Sequence, residues 1–141
     1  MKKLFAVMII FFLSAVSAYC QERVDCTKSF LTTLDVIECM TNDLVQMEKT
    51  MEKYLTVIVS KYPDESESID KSQKVWLEYR ESHCDAVFKF WITGSIRHPA
   101  RISCLIELTH QRTKTLWSSF LDLPSSDSPL PDPGEYMPKT Y

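Results

Sequence analysis

Apolar residues recur at steps of three and four along most of the chain. From Thr32 to Lys61 they fall at Ile37, Met40, Leu44, Met47, Met51, Tyr54 and Ile58. That spacing predicts one long amphipathic helix with a narrow seam, about 45 Å in length. Thr32, with Asp35 three positions on, predicts a capping box at its start. Tyr62-Pro63 ends it, since proline cannot continue a helix, and Asp64 with Glu67 is expected to cap the next one. A second helix is expected from Glu65 to Ile92, with the seam Ile69, Gln73, Trp76, Arg80, His83 and Val87. Gly94 is expected to stop it. Thr93 to His98 then form a loop. Pro99, a favoured first helical residue, opens a third helix to Leu121, with the seam Ile102, Leu105, Thr109, Arg112 and Leu116. Short connections between long helices make antiparallel neighbours. The pattern therefore predicts an all-α fold, an antiparallel three-helix bundle in a single domain over 24–122.

The two ends differ from this body. Pro124, Pro129, Pro131, Pro133 and Pro138, with Ser125, Ser126 and Ser128, predict a disordered Pro-rich tail over 123–141. At the other end Lys2 and Lys3 precede an apolar run from Leu4 to Val16. The run is short for a membrane span and has the length of a signal peptide. A leader over 1–18 is expected, with cleavage after Ala18 or, alternatively, after Cys20. A lipid anchor at Cys20 is disfavoured, because Tyr19 is bulky where that chemistry wants a small residue. The expected destination is the periplasm or the medium, and no second apolar run predicts a membrane span.

Cysteine usage agrees with an oxidising compartment. Cys26, Cys39, Cys84 and Cys104 lie in the body and allow three pairings. Cys26–Cys39 and Cys84–Cys104 are favoured, since each pair is close in sequence and bridges neighbouring elements. An oxidised Cys84 is neither a nucleophile nor a zinc ligand beside His83, and His83, His98 and His110 are far apart. With Gly94 and Gly134 as its glycines, the chain offers no phosphate-binding loop. The reading is a non-enzyme with no cofactor and no metal. Removing Lys2 and Lys3 with the leader takes the net charge from −3 to −5. That argues against nucleic acid, and it suits a basic protein partner.

Gln73, Arg80 and Arg112 interrupt apolar seams. A buried guanidinium needs a carboxylate or carbonyls, and Glu38, Asp43 and Glu48 are the acids on hand. These three polar residues are read as fixing helix register. Trp76 and Tyr79 are read as core. Phe88, Phe90, Trp91 and Ile92 point several ways, so not all can be buried, and one or two exposed there would mark a contact patch. Trp91 and the adjoining Ser95, Ile96, Arg97 and His98 are the candidate partner-contact residues.

The motif Q-x-x-W-L-x-Y-R-[DE]-x-x-C, a Gly-Ser loop, then C-L-x-x-L-T-x-x-R is met by Gln73, Trp76, Leu77, Tyr79, Arg80, Glu81, Cys84, Gly94, Ser95, Cys104, Leu105, Leu108, Thr109 and Arg112. Over residues 26–118 the chain resembles the lysozyme inhibitor LprI-like family of small bacterial envelope proteins. Cys26 and Cys39 fit that family's cysteines before its first long helix. Thr93-Gly94 departs from the two glycines often found in its loop. The resemblance implies an exported inhibitor that blocks the cleft of lysozyme. The alternative is an envelope protein that binds another exported bacterial protein, as an immunity or assembly factor.

Overall fold

A computed structural model describes residues 24–124 and 127–141. The expected leader, its cleavage positions and Cys20 lie outside the described residues. Within them the chain forms helix α1 (Thr33–Lys61), a 3₁₀ turn (Pro63–Glu65), helix α2 (Ser66–Phe90) and helix α3 (Arg97–Phe120), with no strand. The capping box at α1 forms in both halves. Asp35 N–H donates to Thr32 Oγ1 at 3.2 Å, and Thr32 N–H donates to Asp35 Oδ2 at 2.9 Å. The Thr32 N–H and the Thr32 hydroxyl both donate to the Asp35 carboxylate and hold its pKa below the usual carboxylate range.

α3 is the middle of the bundle and packs its backbone closely on both other helices. Ile58, Leu116 and Leu121 are fully buried and gather with Met51, Tyr54 and Ile69. This core sits where α1 ends, α2 begins and α3 ends. The cysteines pair as Cys26–Cys39 and Cys84–Cys104. The first pins the segment before α1 onto α1. The second ties α2 to α3 near the other end of the hairpin.

Several expected boundaries move. α2 starts without a side-chain cap on Asp64 or Glu67, because Pro63 leads a 3₁₀ turn that runs straight into the helix. It ends at Phe90, with Trp91 as its cap. Gly94 is not a left-handed stop. Its N–H donates to Trp91 O at 2.8 Å inside a turn, and Gly134 is the glycine with positive φ. α3 begins at Arg97, so Arg97 and His98 are helical and Pro99 is the third helical residue. Proline is tolerated there because the first helical N–H groups have no partner within the helix. His83 is exposed and stacks on Tyr79, which is also exposed and not the core residue expected, while Cys84 takes the buried position in the seam.

The described tail residues carry no helix or strand, as their composition predicts. Their expected disorder needs correction, because the segment is docked along α1 and α3. Leu130 is 7% exposed and joins the core. Tyr54 Oη donates to Pro131 O at 2.6 Å, and Trp117 Nε1 donates to Leu130 O at 3.1 Å. Lys139 and Tyr141 both reach Asp43. One apolar anchor with satisfied carbonyls offsets the ordering entropy, and prolines have less of that entropy to lose.

Leu116→Ala should destabilise the fold by about 3 kcal/mol, as a fully buried leucine lost from a packed core. Replacing Cys84 and Cys104 together by serine should cost about 3 kcal/mol through loop entropy alone. Denaturant unfolding followed by circular dichroism checks both.

Candidate functional site

The candidate site is the end of the bundle where α2 turns into α3. Contacts of Arg80 with Glu48 and Thr109 put the three at one level, and helical rise puts this turn and the start of α1 about 15–22 Å beyond it. The Cys84–Cys104 disulfide crosses between the two helices below the turn. Inside it, Ile92 N–H donates to Lys89 O and Arg97 N–H to Gly94 O. Arg97 Nη1 reaches back to Ile92 O at 3.3 Å. The turn is therefore tied to both helix ends.

Its surface is apolar. Phe90 is 78% exposed, Trp91 44%, Ile92 52% and Ile96 50%. Phe90 and Trp91 meet edge to face at 5.1 Å. Phe88 is half-buried against the ring of His98, also edge-on at 5.1 Å. Of the predicted contact residues, Trp91, Ser95, Ile96 and His98 are exposed. Arg97 is half-buried and braces the turn instead of standing free. Phe90 and Ile92 add further apolar surface. Phe30 and Leu34, at the start of α1, are also exposed at this end. Sequence reasoning did not single them out. The capping box at Thr32 and the up-down-up order together were the signal that could have placed them here.

Gln73, Arg80 and Arg112 come together lower down, beside Trp76. Arg80 is buried. Its Nη1 lies 2.9 Å from Glu48 and 2.9 Å from Thr109 Oγ1, and its Nη2 lies 2.9 Å from Glu81. The guanidinium sits 5.3 Å from the Trp76 ring. Its Nε has no hydrogen-bond partner among the described residues. Arg101 extends the network to Glu81 and Asp85, both at 2.8 Å. Among the described residues Arg112 takes no carboxylate. Its Nε donates to Gln73 Oε1 at 3.0 Å and its Nη2 to Ser72 Oγ at 3.1 Å, and it too lies against Trp76. Burial lowers the pKa of this guanidinium from its ordinary value. Of the three acids expected to serve the arginines, Glu48 does so. Glu38 instead accepts from Val24 N–H, and Asp43 takes the tail.

Arg80→Ala should destabilise the protein by about 3 kcal/mol, since it strips a charge from Glu48 and opens space beside Trp76. Arg80→Met should cost clearly less, because the aliphatic chain refills that space. Thermal melts of the two variants test the order.

A family profile described as Lysozyme inhibitor LprI matches residues 26–116. The match takes in the first two helices, most of α3, both disulfides and the apolar turn. No curated protein and no solved structure matches the chain.

Proposed function

The chain belongs to the lysozyme inhibitor LprI family, and from that membership we propose that it is an exported protein that inhibits lysozyme by seating the apolar α2–α3 turn in the enzyme's cleft. The observation that carries this reading is the concentration of exposed Phe90, Trp91, Ile92 and Ile96 on one stapled turn. Apolar surface on that scale at a protruding tip marks a contact site. Aromatic side chains dominate interface hot spots. A turn already held by a disulfide and internal hydrogen bonds loses little entropy on insertion.

Charge supports the same orientation. Lys89 and Arg97 lie at the tip, while Arg101 beside them is already paired with Glu81 and Asp85. A glycosidase cleft contains carboxylates that Lys89 and Arg97 can approach. The net acidity of the body speeds encounter with a basic enzyme. The protein acts here as a binder, with no chemistry of its own. The alternative, a partner in an immunity or assembly complex, would fit better with a broad apolar face. Phe90, Trp91, Ile92 and Ile96 gather on the turn, while Val45, Val75, Leu77 and Tyr79 are exposed singly along the body.

Replacing Ile96 and Arg97 together by alanine should raise the inhibition constant at least tenfold, about 1.4 kcal/mol. Trp91→Ala should do at least as much. Circular dichroism should be unchanged in both. Added salt should slow association more than it speeds dissociation. Inhibition equal to the parent in both variants would remove the turn from the interface. Absence of any lysozyme binding by the parent would favour the alternative.

A further inference from the structure

The α1–α3 groove holds the chain's own proline-rich segment by its backbone carbonyls and by one buried leucine. Tyr54 Oη, Trp117 Nε1 and His110 Nε2 face the carbonyls of Pro131, Leu130 and Gly134 at 2.6, 3.1 and 3.1 Å. A carbonyl can only accept, so each ring donates, and His110 carries its proton on Nε2. Pro131 and Pro133 have no N–H, so they bring no unsatisfied donor into the groove. Leu130 fills an apolar pocket beside Tyr54 and Leu116. Gly134 turns at φ 77, a conformation that other residues rarely adopt, and its N–H donates to Asp132 Oδ1 at 2.8 Å. Tyr136 then packs on the His110 ring.

Aromatic grooves whose ring donors meet carbonyls flanking prolines are the general means of recognising proline-rich peptides. The groove supplies Tyr54 and His110 from within the family match, while the tail lies beyond its end at residue 116. We propose that the α1–α3 groove is a recognition site for an extended Leu-Pro-x-Pro-Gly segment, filled in cis by Leu130–Gly134 and able to take the same segment from a second copy of the chain. The second copy is the partner because its tail is the sequence shown to match the groove. Tethering favours the cis arrangement, since a linked segment acts at an effective concentration on the order of millimolar. The trans site therefore opens when the chain's own tail leaves. This inference is independent of the lysozyme reading, since it uses a different face.

The test uses the full oxidised chain and a fluorescent synthetic peptide with the sequence of residues 127–141, followed by anisotropy. Leu130→Asp should release the tail and bind the peptide at least tenfold more tightly than the parent does. Adding Tyr54→Phe to that variant should weaken binding several-fold, and a peptide carrying the same Leu-to-Asp change should not bind. Gly134→Ala provides a second release, because it strains the turn without touching the core, and should show the same gain over the parent. Circular dichroism verifies that the bundle persists. Failure of both released chains to bind, or equal binding by the parent, would overturn the proposal.

Discussion

A guanidinium buried among three helices sets the terms for this bundle. Arg80 cannot be left unpaired out of water, so α1 must present Glu48 to it, α2 must add Glu81 and α3 must offer Thr109. The Thr109 hydroxyl is free to accept because it donates its own proton to Leu105 O. Sliding any helix by one turn would break one of these contacts and expose the charge to apolar neighbours. Apolar packing alone tolerates such slips better. The seams bring the helices together, and Arg80 selects one register for them.

The register in turn positions the tip. Only in that arrangement does Cys84 face Cys104 across the hairpin. The turn above them then has too few residues to fold its own aromatics inward. Phe90, Trp91 and Ile92 lie at and just past the end of α2 and remain exposed there. Exposure at the tip is thus a consequence of how the core is fixed below it.

The helices, their order and the cysteine pairs were legible in the sequence because each has a strong local signal. Seven-residue spacing marks α1, and short separations mark the disulfides. Boundaries were less legible. Pro99 reads equally well as a first or third helical residue, and the difference moves Arg97 and His98 from loop to helix. The partner of Arg80 could be narrowed to three acids, but choosing Glu48 requires the relative rotation of two helices. The tail was the least legible part. A segment rich in proline and serine has too little apolar surface to fold alone. Its placement rests on Leu130 and on ring donors from Tyr54, His110 and Trp117, which are distant in sequence. Composition carries no trace of such pairing.

The docked tail brings the C-terminal residues back beside the first disulfide, so that Tyr141 and Cys26 border one surface hollow. This gives the molecule a defined mechanical character. A force separating the two ends would not load the helices first. It would peel the tail from Asp43 toward Leu130, one contact after another, in an unzipping geometry that yields to small loads. At the opposite end Cys26–Cys39 carries tension past residues 27–38 directly into α1. The bundle behaves as a stiff body in series with a soft, releasable strap.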